Sequence, residues 1–300
     1  MASTAARAEE TAVEAESEHV SLDAQGDTVL VVGNYRIKVF STMLALVSPV
    51  FRAMLGPHFR EGSQSRNAAN PLEVHLPEDE PDATLIMCHL IYHKKGKEVF
   101  SDCTLLPEKL YRLLKVIDKY QCLESLWLSV RALVSAELAR DATFWETSIL
   151  HVAIAYLVDD AWNFKLATKY LVTQFEGTAM FSEVQKYEGG DIIPLNALLA
   201  MSEIRQSARH ELSKGLSRFA DYKRRRMSDF GTDALEKWSG LGGESLNFTM
   251  SVLETYETIP AISNVAIKVD ELCGGLCLKC VKQGLVDISS GMCKNGHEEG

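Results

Sequence analysis

GDTVLVVGNYRIKVFSTMLALVSPVFRAMLGPHFREG, residues 26–62, is the stretch that decides the fold of this 300-residue chain. Residues 29–32 and 36–40 are rich in aliphatic and β-branched side chains, which favour strands. They flank Gly33-Asn34, a pair suited to the positive φ angles of a tight hairpin turn. The second run alternates apolar and basic residues, as a strand with one buried face does. The stretch therefore predicts an antiparallel hairpin.

Helices are predicted on both sides of a third strand. Ser48 caps a helix that starts at the following proline, and Gly56 is placed to close it in the left-handed region. Residues 72–76 alternate again and indicate the third strand. Pro81 and Pro107 each open a further helix with an apolar face. A small sheet with helices clustered around and after it predicts the α+β class.

The rest of the chain has no strand pattern. Amphipathic or wholly apolar helical patterns begin at residues 123, 149, 164 and 201. We therefore predict a disordered acidic tail over 1–18, an α+β domain over 19–125, an all-helical region over 126–270 and a Cys/His-rich tail over 271–300.

Composition and charge exclude several classes of protein. The net charge is −10. Residues 1–18 hold five glutamates against one arginine, and their many small or acidic residues, with one valine and no aromatic residue, predict disorder. An acidic body argues against nucleic acid as the main partner, since phosphate binding needs a positive face. No stretch has the length and apolar character of a membrane helix or a secretory signal, so we expect a cytoplasmic or nuclear protein with reduced cysteines.

Three stretches resemble a known interaction domain. Residues 26–62, VHLPEDEPDATLIMCHLIYH (74–93) and LLKVIDKYQC (113–122) are similar, in order and spacing, to the BTB (POZ) domain in its filamentous-fungal branch. The resemblance implies protein–protein binding, homo- or hetero-dimerisation and, in many members, a link between a client protein and a cullin-type ubiquitin ligase. Animal members commonly begin the helix after the second strand with a histidine, whereas this chain reads Val39-Phe40-Ser41, so the animal dimer interface does not transfer directly.

The same resemblance marks one partner-binding loop. Cullin-binding BTB domains often carry a hydrophobic-x-Glu pattern just after the second short helix, and here that loop reads Phe59-Arg60-Glu61. An exposed aromatic anchor beside a carboxylate is a reasonable interface hot spot. The alternative is that Phe59 packs into its own domain while Arg60 and Glu61 are solvated.

The C-terminal tail carries the sharpest chemical signal. Cys277-x2-Cys280-x12-Cys293-x3-His297 forms two close pairs separated by a loop, which is the spacing of a tetrahedral Zn²⁺ site. Thiolates and imidazole favour zinc, and a metal would explain how a tail with little apolar material folds. Cys273 is a candidate substitute ligand. The alternative is a set of free or redox-sensitive thiols.

A nuclear regulator and an enzyme are the alternatives to an adaptor. The basic run 223–226 is compatible with a nuclear regulator that uses BTB oligomerisation and a zinc-stabilised tail, but it also falls where a long helix is expected to end. The chain has no phosphate loop, dinucleotide fingerprint or serine nucleophile elbow. We therefore expect a non-enzymatic interaction module with protein partners.

Overall fold

The computed structural model describes residues 17–59, 65–94, 106–139, 144–177, 179–226, 260–286, 293 and 295–297. The chain divides into two compact units. The first comprises Met1–Ser101 and Val116–Trp127, and the second comprises Asp102–Lys115 and Leu128–Gly300. No helix among the described residues is long and apolar enough to span a membrane.

The first unit contains a four-stranded sheet. Its strands are β1 (Glu18–Ser21), β2 (Thr28–Val32), β3 (Tyr35–Val39) and β4 (Leu72–His75), in the order β1-β3-β2-β4. The predicted hairpin is confirmed, because β2 and β3 pair antiparallel with Val32 opposite Tyr35. Strands β1 and β4 run parallel to their neighbours β3 and β2.

Glycine is required at the hairpin turn for two reasons. Gly33 has φ 52°, in the left-handed region that favours glycine. A Cβ at this position would also lie 2.6 Å from Cγ of Pro81. The turn therefore depends on a residue without a side chain.

Short helices surround the sheet. They are α1 (Ser41–Val47), α2 (Pro49–Met54) and α3 (Pro81–Ile91). The predicted cap of α2 is confirmed, since the Ser48 hydroxyl accepts a hydrogen bond from the Phe51 amide at 3.0 Å. The predicted role of Gly56 is wrong: α2 ends at Met54, its C-cap residue Leu55 has φ −89°, and Gly56 is not among the described glycines with positive φ.

A partly buried carboxylate ties the start of α1 to the sheet. Asp27 accepts hydrogen bonds from the Ser41 amide and hydroxyl, each at 2.7 Å, and pairs with Arg66 at 3.4 Å. Burial alone would raise the pKa of Asp27, but the bonds from Ser41 and Thr28 together with the charge of Arg66 hold that pKa below its usual value. Ser41 thus anchors the start of α1.

The three stretches that carry the resemblance meet at Tyr120, just after helix α4 (Pro107–Lys119). The Tyr120 carbonyl accepts from the Ser48 hydroxyl at 2.6 Å, and its ring stacks on Phe51 with centroids 4.1 Å apart. Its hydroxyl donates to the buried carboxylate of Asp79, which also pairs with Lys119. Residues that are far apart in the sequence therefore contact one another around Tyr120.

The second unit is helical. It contains α5 (Trp127–Leu138, from its second residue), α6 (Trp145–Leu157), α7 (Ala161–Gln174), α8 (Met180–Val184), α9 (Leu195–Arg226), α10 (Pro260–Leu272) and α11 (Leu278–Gln283). The basic run 223–226 forms the last four residues of α9, as predicted. The α+β class, with a small sheet and helices followed by a helical remainder, is confirmed.

One apolar core joins the helices from α6 to α11. It contains fully buried aromatic and aliphatic side chains from α6, α7, α9 and α10, and it extends into the segment before and within α11. Its members include Ile149, Val152, Phe164, Leu171, Phe175, Leu198, Met201, Ile204, Val265, Val269, Leu276, Leu278 and Val281. The start of the predicted metal-binding tail is therefore part of the core of the helical unit.

A buried aspartate begins α7. Asp160 accepts from the Asn163 amide at 3.0 Å, which caps the helix, and pairs with Arg131 at 2.5 Å. Burial raises the pKa of this carboxyl, but the bonds from Asn163 and the charge of Arg131 outweigh that effect and lower it. The ionised form is thus favoured by the fold.

Candidate metal centre and partner-binding loop

The first two predicted metal ligands lie on one short helix. Cys277 is the N-cap residue of α11, and Cys280 lies within the helix. Gly284 ends α11 with φ 71°, and the Leu285 amide donates to the Cys280 carbonyl at 2.9 Å. This tight ending, which favours glycine, turns the chain four residues after the second ligand.

The structure brings all four predicted ligands together. The Nδ1 atom of His297 lies 3.6, 3.3 and 3.5 Å from the sulfurs of Cys277, Cys280 and Cys293. The sulfurs of Cys280 and Cys293 are 3.5 Å apart, and all four ligand atoms lie within 4.8 Å of one another. A tetrahedral zinc ion requires S–N separations of about 3.5 Å and S–S separations of about 3.8 Å, worked from its bond lengths. A Cys₃His group with this geometry could bind a metal ion.

Cys280 is the most enclosed of the four ligands. Asn295 donates from Nδ2 to the Cys280 sulfur at 3.3 Å and also contacts the Leu285 carbonyl at 3.4 Å. Burial, together with the neighbouring thiols of Cys293 and Cys277, raises the pKa of the Cys280 thiol to about 11. A bound divalent cation reverses that balance, because a coordinating thiol is deprotonated. The sequence analysis did not identify Asn295, although this side-chain amide lies between the predicted ligands Cys293 and His297 in the sequence.

Cys273, the candidate substitute ligand, has a different environment. It is 2% exposed and belongs to the apolar core of the helical unit, outside the four-ligand group. Burial raises the pKa of its thiol to about 11. These properties are those of a packed core thiol.

The segment that carries the first ligand pair is held by two helices of the same unit. The Thr168 hydroxyl on α7 accepts from the Leu276 amide at 2.9 Å. The Asn196 side chain on α9 donates to the Val281 carbonyl at 2.8 Å. An ion pair between Lys282 and Asp159 at 2.8 Å adds a third, exposed contact.

The predicted partner-binding loop is described in part. Phe59 is 52% exposed and its amide donates to the Gly56 carbonyl at 3.2 Å. Its ring is therefore available to solvent instead of filling the core of its own unit. Arg60 and Glu61 lie outside the described residues.

Comparison with known proteins identifies a domain in the N-terminal part of the chain. Residues 20–136 match the family model of the BTB/POZ domain. The N-terminal part of the chain is a BTB/POZ domain. No curated protein matches the chain. The BTB/POZ domain is a protein-interaction domain, so this protein carries an interaction module at its N-terminus.

Proposed function

We propose that the protein is an adaptor or scaffold in which the BTB/POZ domain assembles with protein partners and the helical region selects a client. The observation that carries this proposal is the BTB/POZ match over residues 20–136. Exposed apolar side chains within the domain support it, notably Leu46 at 69% and Phe59 at 52%. We propose that the protein acts in the cytoplasm or nucleus. We also propose that its BTB/POZ domain belongs to the filamentous-fungal branch of that family. The acidic net charge of −10 favours this function over that of a chromatin-bound regulator.

We infer that one partner is a cullin-type ligase scaffold, bound through the Phe59–Glu61 loop. The exposure of the Phe59 ring supports the inference, since an aromatic anchor must be accessible to fill a pocket on a partner. The pattern of Phe59-Arg60-Glu61 adds a carboxylate beside that anchor.

Co-purification of the full chain with a cullin tests this role. Phe59→Ala should lower the affinity by about 30-fold, the loss typical of an interface hot spot. Phe144→Ala is the matched control, because Phe144 is 68% exposed and lies in the second unit. Recovery of cullin that is the same for wild type and Phe59→Ala, or absent for both, would remove the cullin from the proposal.

We also propose that Cys277, Cys280, Cys293 and His297 bind a structural Zn²⁺ ion that closes the 271–300 tail. The distances from His297 Nδ1 to the three sulfurs, and the distance between the Cys280 and Cys293 sulfurs, are close to those around a tetrahedral zinc ion and support zinc over free thiols. Native mass spectrometry should find one zinc ion in the wild type and none in Cys293→Ser. Cys273→Ala should retain the ion, because Cys273 lies in the apolar core. A wild type that carries no zinc after zinc is supplied contradicts the site.

Homodimerisation is the assembly that we propose for the BTB/POZ domain. Sedimentation of the full chain over a range of concentrations should show a shift from monomer to dimer mass. A mass that stays that of a monomer at every concentration would restrict the domain to other partners.

A further inference from the structure

The chain enters the metal centre by passing close against α7. Gly275 has φ 85°, and a Cβ there would lie 2.1 Å from the Lys165 carbonyl oxygen, so only glycine permits the approach. The next residue, Leu276, is 3% exposed and donates its amide to the Thr168 hydroxyl. Leu276 directly precedes the ligand Cys277.

The Thr168 hydroxyl is held in a fixed orientation. Its own hydrogen is directed to the α7 carbonyls of Phe164 and Lys165, at 2.9 and 3.0 Å. The oxygen therefore presents a lone pair to the Leu276 amide, and Thr168 is fully buried. An amide that loses this acceptor has no access to water there, and burying an unpaired amide is costly.

The second cysteine of the pair has a corresponding support. Val281 follows Cys280, and its carbonyl accepts from the Asn196 side chain on α9. Each cysteine thus has one adjacent backbone group fixed by a side chain from a different helix. Leu276, Leu278 and Val281 are also buried in the core shared with α7 and α9.

We propose that Thr168, supported by Asn196, is a positioning residue for the metal centre. It touches no ligand atom. It fixes the backbone on which the Cys277–Cys280 pair is built, so that these two sulfurs are set before Cys293 and His297 close the site. This inference rests on the zinc site proposed above. Residues that orient metal ligands typically change metal affinity by about 10–100-fold when they are replaced.

Zinc competition with a chromophoric chelator on the full-length protein tests the proposal. Thr168→Val keeps the shape and removes the acceptor, and it should weaken zinc binding by about tenfold. Thr173→Val is the matched control, since Thr173 lies on the same helix and its hydroxyl donates to the Lys169 and Tyr170 carbonyls in the same way. Thr168→Ser, which keeps the hydroxyl, should restore the affinity.

The outcomes separate the two proposals. A wild type that does not bind zinc overturns the metal centre and this inference with it. A wild type that binds zinc, with Thr168→Val and Thr173→Val equal in affinity, overturns the positioning role alone. Thermal unfolding of the same variants in the presence of the chelator supplies a second measurement. If the threonines serve general stability alone, both variants should lower the unfolding temperature of the metal-free protein, and Thr168→Val should show no selective loss of zinc affinity. That pattern also overturns the proposal.

Discussion

Replacement of Asp79 by alanine should destabilise the BTB/POZ domain by about 2–4 kcal/mol, worked from what the carboxylate contacts. The Asp79 side chain is 1% exposed, and it accepts from the hydroxyl of Tyr120, a residue that is 2% exposed. The substitution removes a charge-assisted hydrogen bond and leaves the phenol hydroxyl without an acceptor in a place that water does not reach. Lys119 loses the same partner, but its side chain is 48% exposed and can be solvated.

A second Tyr–Asp–Lys group in the chain provides the control. Asp191 accepts from the Tyr111 hydroxyl at 2.8 Å and pairs with Lys115 at 3.3 Å, but its side chain is 62% exposed. Water can replace this carboxylate, so Asp191→Ala should cost at most about 1 kcal/mol. The two groups have the same chemistry, and both tyrosines are buried, with Tyr111 1% and Tyr120 2% exposed, so what differs is the exposure of the carboxylate.

Urea unfolding of the full chain, followed by hydrogen exchange in peptides from each unit, measures the two effects separately. The double variant Asp79→Ala/Tyr120→Phe should cost less than the sum of its single variants, because it removes the unsatisfied hydroxyl as well as the carboxylate. Costs that add, or an Asp79→Ala cost no greater than that of Asp191→Ala, would refute the argument from burial.

Three further predictions concern the helical unit. The pKa of Asp160 is lowered by the fold, so the stabilisation by this carboxylate is present at neutral pH and is lost as the pH falls through about 4 towards the folded-state pKa. Acid titration of the unfolding free energy should therefore show a smaller loss of stability for Asp160→Asn than for the wild type. Zinc chelation should lower the unfolding temperature of the wild type and leave that of Cys293→Ser unchanged. Each tenfold excess of free zinc over the dissociation constant adds about 1.4 kcal/mol to the stability of a protein that binds the ion. Equal responses of the two proteins would contradict a bound ion. Phe164→Ala should lower the free energy of unfolding in urea by about 3–5 kcal/mol because Phe164 is fully buried. Trp162 lies on the same helix and is 60% exposed, so Trp162→Ala should lower it by less than about 1 kcal/mol. Similar costs for the two variants would contradict the assigned core.

Local patterns were sufficient for the hairpin, for most helices and for the proximity of the metal ligands. Periodicity and capping act within a few residues, and Ser48, Pro81 and Pro107 begin their helices as their chemistry predicts. The spacing of the two Cys/His pairs predicted a four-ligand group because a tetrahedral ion leaves few ways to arrange two close pairs.

Features that depend on distant residues were not visible in the sequence. Strand β1 was missed because Glu18–Ser21 has almost no apolar alternation; it forms because its backbone pairs with β3, as in the bond from the Glu18 amide to the Asn34 carbonyl at 2.8 Å. The expectation for Gly56 failed because Leu55, the C-cap residue, ends α2 with φ −89° and ψ 4°, and Gly56 after it does not adopt a positive φ. Thr168 gave no signal at all, since its contact with Leu276 spans 108 residues.

The convergence at Tyr120 also constrains the order in which the protein can fold as it is synthesised. Ser48 and Asp79 precede Tyr120 by 72 and 41 residues, so both wait for a partner that leaves the ribosome much later. The β2–β3 hairpin can pair early because its partners are local, whereas the apolar layer around Phe51 cannot be completed until Tyr120 has emerged. Contacts of this sequence separation slow folding. The nascent BTB/POZ domain therefore leaves its Phe51 surface exposed during translation, which makes this surface the expected point of chaperone contact.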